Sequence, residues 1–397
     1  MEAQRPLFDA SPAPPPAPGR TAAEFFAGVG LARMGLERAG WEVTLANDLD
    51  PKKLAMHDGH FGPSPHYLLE DVHKLAIEPE RVPTTLLSHA SFPCTDLSLA
   101  GGRRGLNSGE SSAFWGWHAL LEGMGDRRPP IVLVENVTGF LTSHNGEDFF
   151  AALAALGDLG YTVDALTIDA AHFTPQSRPR LFVIGSRGVE PDLPAIDADD
   201  LAPSPLRSAK LVEAIRRSPQ LGWRLAALPE LPPYGATPLE SILERLPSDS
   251  PQWWSRERSE YLLGQMSERH RAEADKMIAG KSLSFGTVFR RVRKGKSMAE
   301  LRTDGLAGCL RTPKGGSGRQ ILFQAGKGEY RVRLLNATEC ARLMGADGYR
   351  VTAPLNQALF GFGDAVCVDA VAWIAENYLN PLADAVLASA SSAAPVE

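Results

Sequence analysis

Apolar positions along this chain follow two periods in alternation. Short runs rich in β-branched and aromatic residues, bounded by turns, are interleaved with stretches of helical spacing. Residues 21–26 read as a strand running into the turn Ala27-Gly28-Val29-Gly30. A helix follows over 31–39, with Leu31, Met34, Leu36 and Ala39 as its apolar stripe, and residues 41–48 form a second strand ending in an acid. A helix within 51–62 precedes a third strand ending near Asp71, and residues 84–90 make a fourth that leads into Pro93-Cys94. Residues 111–124 have helical spacing. The run 131–137 is a fifth strand, apolar throughout except for Glu135 and Asn136, which have no business in a core unless they are used. A helix over 147–156 and strands over 161–168 and 181–185 complete the pattern, which predicts an α/β fold: an open, Rossmann-like sheet with helices on both faces.

Composition then divides the chain. Residues 1–20 hold six prolines and read as a disordered leader. Residues 21–188 are the sheet domain. After Val189 proline and charge increase, and 189–333 is expected to be a smaller mixed domain. Globular patterning returns over 334–382, with helices at 336–344 and 366–378, and 383–397 is an Ala/Ser tail expected to be flexible. No apolar run looks long enough to span a bilayer, no signal-peptide pattern is visible, and no membrane partner is expected. The four cysteines (Cys94, Cys309, Cys340 and Cys367) form no C-x-x-C pair, which argues against a metal site or disulfide framework and fits a reducing cytoplasm. A net charge of −6 argues against nucleic acid unless positive residues are gathered in one place. They are gathered in 286–333, which carries Arg290, Arg291, Arg293, Lys314 and Arg319 among others against Glu300, Asp304 and Glu329.

Candidate chemistry follows from position. Strand, glycine turn, helix, strand and acid make a nucleotide-binding unit. The third glycine of the dinucleotide pattern would fall at Arg33, and no Lys-Ser/Thr pair follows, so the turn suits an adenosine without phosphates; S-adenosylmethionine is the commonest such ligand. Asp71 could accept a hydrogen bond from an adenine amino group. Cys94 sits at a strand's carboxyl end, and the glycine-rich segment 100–109 with Arg103 and Arg104 reads as a flap for a polyanion. Arg178 and Arg180 are two apart, so in an extended backbone both point the same way, as a pair suited to a carboxylate, a phosphate or a pyrimidine carbonyl. Each signal alone has a bland reading: a buried free cysteine, an ordinary glycine turn, a solvated basic edge.

Taken together the residues resemble the DNA cytosine-5 methyltransferase family of bacterial type. The matching stretches are 26–30, Asn47-Asp48, Asp71, Phe92-Pro93-Cys94, Glu135-Asn136-Val137, Gln176 to Arg180, the 333–345 helix and Gly363 to Val366, in the family's order. The resemblance implies S-adenosylmethionine held by Phe26, Gly28, Gly30, Asn47, Asp48, Asp71, Pro93, Asp364 and Ala365. Phe26 would pack on the adenine, Asp48 would take the ribose and Asp71 the adenine amino group. Cys94 would add to carbon 6 of a flipped cytosine, Glu135 would bond or protonate N3, Asn136 would position the loop, and Arg178 and Arg180 would hold the pyrimidine carbonyl or its phosphate. Arg103, Arg104, Gln176, Arg290, Arg291, Arg293, Lys314 and Arg319 would meet duplex DNA, with 189–333 as target-recognition domain. A monomer is expected, and a separately encoded restriction endonuclease, another defence system or a solitary role all stay open. Three departures stand out: Asp364 where the family has asparagine, Thr95 after the cysteine, and Glu24 for the usual aspartate. An RNA cytosine-5 methyltransferase and a silent DNA-binding relative are the alternatives; Arg33 speaks against a nicotinamide oxidoreductase.

Overall fold

The structure is a computed structural model, and it describes residues 19–93, 106, 112–293, 295–312 and 318–392. Of Arg293, Ser391 and Ser392 only the backbone is described. The described residues form two compact units. One comprises those up to Asp169, 179–231 and those from Val366 onward; the other comprises 170–178 and 232–365.

The first unit is built on seven strands: β1 (Thr21–Phe25), β2 (Glu42–Asp48), β3 (Tyr67–Leu69), β4 (Leu87–Ala90), β5 (Ile131–Val137), β6 (Thr162–Asp169) and β7 (Pro179–Ser186). Their order is β3-β2-β1-β4-β5-β7-β6, parallel except that β7 runs antiparallel to both neighbours. The connecting helices are α1 (Leu31–Arg38), α2 (Pro51–Phe61), α3 (Val72–Leu75), α4 (Ala113–Gly123) and α5 (Glu147–Asp158). Sheet residues are buried on both faces, which is why the central strands read as unbroken apolar runs. Alternate residues Ala23, Phe25, Ala90, Val132, Val134, Leu181 and Val183 share one core with Phe114, Trp117 and Leu153.

Residues 189–231 belong to this unit, not to the domain expected for them. They hold β8 (Ala195–Ile196), α6 (Ala209–Arg216) and β9 (Leu225–Ala226). The reason is the exposed edge that β6 would otherwise leave. Val163 donates to the Gly222 carbonyl at 2.7 Å and accepts from Arg224 N–H at 2.8 Å, while Thr167 N–H donates to Leu206 O at 2.7 Å. A buried ion pair locks the segment down: Arg207 Nη2 lies 2.9 and 2.8 Å from the two oxygens of Asp164, and Ala226 N–H donates to the same carboxylate at 2.8 Å. Burial pushes Asp164 above the usual carboxylate range against the pull of Arg207.

The second unit carries α7 (Arg256–Gly264) and α8 (Glu268–Ala279) and a four-stranded antiparallel sheet. Its strands are β10 (Ser284–Arg293), β11 (Lys296–Arg302), β12 (Ile321–Gly326) and β13 (Glu329–Leu334), in the order β11-β10-β12-β13. Leu262, Ala274, Val288, Phe323 and Val332 form its core. Helices α9 (Ala337–Leu343) and α10 (Leu355–Asp364) fall in this unit too, so the return to the sheet domain comes at Val366 and not at 334. A buried pair accounts for α9: Arg333 bonds both oxygens of Glu339, at 2.6 and 2.5 Å, and Glu339 completes a capping box with Asn336.

The chain ends with α11 (Val368–Ile374), one π-helical turn over Ala375–Leu379, and α12 (Asn380–Ser392). The expected tail is therefore helical to Ser392. Leu382 and Ala383 are fully buried and Asp384 pairs with Arg20 at 2.6 Å. The run Leu355–Ala390 is, against expectation, long and apolar enough to cross a membrane by composition, but 61% of its most apolar stretch is buried inside the protein, as in a core helix. Extended backbone at Ala365 also breaks it.

Removing Arg207 would leave the buried Asp164 unpaired, so Arg207→Ala should cost about 3–5 kcal/mol. A lowered urea midpoint, with new proteolytic cuts within 189–231, checks this; an unchanged cutting pattern would refute the locking role.

Candidate active site

The turn after β1 is held from the end of β2 by the Asp48 side chain and the Asn47 backbone carbonyl. Gly28 N–H donates to Asp48 Oδ2 at 2.9 Å, and Asp50 N–H donates to Asp48 Oδ1 at 2.9 Å. Asn47 donates from Nδ2 to the carbonyls of Leu68 and Glu70, at 2.9 and 2.8 Å, while its own carbonyl accepts Ala27 N–H. Tyr67 OH donates to Gly28 O at 3.0 Å. Both residues thus fasten the loop. Each Asp48 oxygen keeps a second lone pair, so a ribose hydroxyl can still be accepted there.

Phe26 has φ 58°, a left-handed conformation that is unfavourable for an aromatic residue and held by these bonds. Gly28 and Gly30 are left-handed too, at 59° and 81°. Gly30 has a packing reason besides: a Cβ there would lie 2.5 Å from Phe61 and 2.8 Å from His57. Leu49, next to Asp48, is 68% exposed although apolar; sequence reasoning passed over it. With half-buried Phe26 and exposed Leu69 it makes an apolar lip at the carboxyl ends of β1, β2 and β3. Asp71 caps α3, its Oδ1 accepting His73 N–H at 2.9 Å, instead of ending a strand. An apolar lip, a glycine turn, one carboxylate at a strand end and a second at a helix cap fit an adenosine-bearing methyl donor.

The end of β5 supplies the second half. Glu135 is 5% exposed and its Oε1 lies 3.0 Å from Arg180 Nε on β7. The next residue points to the other face: Asn136 Nδ2 donates to Phe92 O at 3.1 Å, and its Oδ1 accepts Val137 N–H. Asn136 therefore holds the chain two residues before Cys94. Cys94, Arg103, Arg104 and Lys314 themselves lie outside the described residues.

Arg178 does not join Arg180. It is 1% exposed in the second unit, and donates to the carbonyls of Leu310 at 2.9 Å, Gly363 at 2.9 Å and Ala365 at 2.5 Å. Arg178 precedes β7, which begins at Pro179, and its guanidinium is taken up by these carbonyls. Gln176 is likewise fully buried, donating to Leu343 O at 2.8 Å and accepting from Leu310 N–H at 2.8 Å, so it is not a DNA contact but a strut. Asp364 is the exposed last residue of α10, and Ala365 is its cap. The basic run is partly neutralised from within: besides Arg333, Arg302 pairs with Asp304 at 2.6 Å and Arg291 lies 3.7 Å from Glu300. Arg319 bonds Asn356. Arg290 sits 5.9 Å from the Trp254 ring, and Arg258 lies over it at 3.9 Å.

Comparison with known proteins decides the family. The profile of C-5 cytosine-specific DNA methylases matches residues 21–380. This chain belongs to that family. Among its relatives, the type II methyltransferase M.BanI of Aneurinibacillus aneurinilyticus is 32% identical over 177 residues, which is 43% of this chain and 39% of that protein. M.HaeII of Haemophilus aegyptius is 30% identical over 163 residues, 41% of this chain and 49% of that one. The chain thus spans about two-fifths to half the length of these curated relatives. The solved Dnmt2 methyltransferase of S. pombe shares the methylase fold, with TM-score 0.58 and 15% identity over 91% of this chain and 98% of that one.

The two arginines should separate by experiment. Arg178→Met removes the guanidinium from the carbonyls of Gly363 and Ala365 and leaves Leu310 O with only the weak Cys309 S–H donor, and should cost about 3 kcal/mol or more in urea unfolding. A variant that unfolds like the parent would return Arg178 to the pyrimidine site.

Proposed function

We propose that this chain transfers a methyl group to carbon 5 of a cytosine in duplex DNA, through a covalent bond between Cys94 and carbon 6. The observation that carries the reading is the end of β5, where Glu135 pairs with Arg180 and Asn136 bonds the carbonyl two residues before Cys94. Carbon 5 of cytosine is too electron-poor to attack a methyl sulfonium. Addition of the Cys94 thiolate to carbon 6 makes it an enamine, so one hard step becomes two easier ones. Glu135 hydrogen-bonds or protonates N3 and so neutralises charge building on the ring. Arg180, oriented by Glu135, holds the pyrimidine carbonyl and favours the adduct electrostatically. S-adenosylmethionine, when bound, supplies the electrophilic methyl group. Phe26, Leu49 and Asp71 would hold its adenine and Asp48 its ribose. After transfer the C5 proton leaves to a base and the Cys94 sulfur is expelled, restoring the aromatic ring. None of this is possible in a stacked duplex, so the cytosine must be flipped out.

The second unit would read the DNA. Strand β10 pairs with β12 only over 284–288, but with β11 as far as Arg293. Residues 289–293 and 296–300 therefore run on as a two-stranded ribbon, of a width that the major groove admits. The names of the type II relatives support a restriction–modification setting for the same activity.

DNA carrying 5-fluorocytosine at the target should trap the protein covalently, because the C5 fluorine cannot leave as a proton; Cys94→Ser should neither be trapped nor methylate, while still binding DNA. Failure of the parent chain to be trapped by any DNA that it methylates would sink the thiolate step. Replacing Arg290, Arg291 and Arg293 together should lower the slope of log affinity against log salt by about 2–3, at roughly 0.9 for each phosphate no longer neutralised. An unchanged slope would take the ribbon off the DNA.

A further inference from the structure

Two side chains that this chemistry leaves unused lie next to each other in the middle of the seven-stranded sheet. Glu24 on β1 is the register partner of His89 on β4. Adjacent strands are about 4.8 Å apart, and register partners in a parallel ladder project to the same face. Both residues are 1% exposed. Each has one buried atom without a hydrogen-bond partner, Glu24 Oε2 and His89 Nδ1. Such orphans are rare, and leaving one unsatisfied costs about 1–3 kcal/mol. Two of them side by side point to a common partner. Their other atoms are in use: the Glu24 carboxyl accepts a backbone bond from Arg33 at the start of α1, and His89 Nε2 lies 3.4 Å from Ser91 Oγ.

We infer that Glu24 and His89 act as one uncharged positioning pair, the Glu24 carboxylic acid donating from Oε2 through a single buried water to His89 Nδ1. A water between two orphaned polar groups is the usual occupant of such a place. The imidazole then carries its proton on Nε2, toward Ser91 Oγ. Desolvation sets the protonation states. It pushes Glu24 up to about 8, although Arg33 pulls the other way, and pushes His89 down to about 4. The charged and titratable groups acting on Glu24 are Arg33 and Glu37 from α1 and Asp48 from β2; Tyr67 from β3 also feels its charge, whereas burial alone acts on His89.

The pair joins the two halves of the site. Glu24 lies two residues before Phe26, whose strained backbone opens the methyl-donor turn. His89 lies two residues before Ser91, whose N–H donates to Phe25 O at 3.4 Å, and five before Cys94. Glutamate in place of the family's aspartate gives one more methylene with which to reach toward β4. Its consequence for catalysis rests on the proposed function; its chemistry does not.

Infrared spectra of the full chain at pH 7 should contain the carbonyl stretch of a protonated carboxyl that disappears in Glu24→Gln, and nitrogen NMR should show His89 neutral and protonated on Nε2. Stability gives a second reading. Between the ordinary glutamate value and about 8 the folded state holds a proton that the unfolded chain has lost, so stability falls as pH rises through that window. Glu24→Gln should flatten this decline. In kinetics Glu24→Gln, which retains a donor, should raise KM for the methyl donor less than threefold, against roughly tenfold for Glu24→Leu, as one lost buried hydrogen bond implies. An ionised Glu24 or a charged His89 at pH 7 overturns the pair, even in a protein that methylates DNA. A protonated pair in a protein that methylates nothing would instead leave the pair standing and the proposed function fallen.

Discussion

The fold's site depends on one constraint: β5 ends in two consecutive polar residues inside a sheet that is covered on both faces. Consecutive strand residues point in opposite directions, so Glu135 and Asn136 cannot share a partner. Each must be satisfied where it lands, since a buried carboxylate or amide without a bond is costly. Arg180 meets the first and the Phe92 carbonyl meets the second. The first bond requires β7 to enter beside β5 with its opening residues level with Val137, which the antiparallel register supplies. The second fixes the exit of β4 just before the cysteine. Two ordinary satisfactions of buried polarity thereby bring a carboxylate, a guanidinium and the Phe92 backbone to one strand end.

Arg178 shows how position overrides spacing. The chain leaves the sheet at Asp169 and re-enters at Pro179, and Arg178 is the last residue of that excursion. A guanidinium has five donors and no acceptor. Held among the carbonyls of Leu310, Gly363 and Ala365, it satisfies two carbonyls that the end of α10 leaves open and one in the loop before β12. Gln176 does the same from both ends of its amide. A motif that reads as one chemical unit in sequence is thus divided between a clasp on buried carbonyls and a guanidinium paired with Glu135.

The sheet domain was legible because its signals are local: apolar runs, glycines at the turn, polar residues at strand ends. Every strand of the main sheet falls where periodicity puts it, and the turn, Asp48, Glu135 and Arg180 lie at its carboxyl edge. What escaped was non-local. Proline and charge in 189–231 suggested a separate domain, whereas the need to cover the β6 edge draws the segment onto the sheet through Arg207 and Asp164. Ala/Ser composition suggested a loose tail, but alanine favours a helix, and Leu382 and Ala383 are buried. Leu49 was passed over because one exposed leucine carries no pattern; only its place beside Asp48 gives it meaning.

Charge counting failed in an instructive way at the basic segment. Residues 232–365 contain 21 Lys and Arg against 14 Asp and Glu, in a chain whose net charge is −6. Several of those cations are spent internally: Arg333 on Glu339, Arg302 on Asp304, Arg342 on Asp347. A carboxylate partner orients a guanidinium but cancels its field. An aromatic ring orients it and leaves the charge intact. Arg258 and Arg290 beside Trp254 are of the second kind, while Arg291 has a partner of each kind, the Phe289 ring at 4.8 Å and Glu300 at 3.7 Å. Because Arg290 and Arg291 are adjacent on a strand, they project from opposite faces of the ribbon. The two-stranded ribbon therefore carries a guanidinium on each side, one held by a ring alone and the other shared between a ring and a carboxylate.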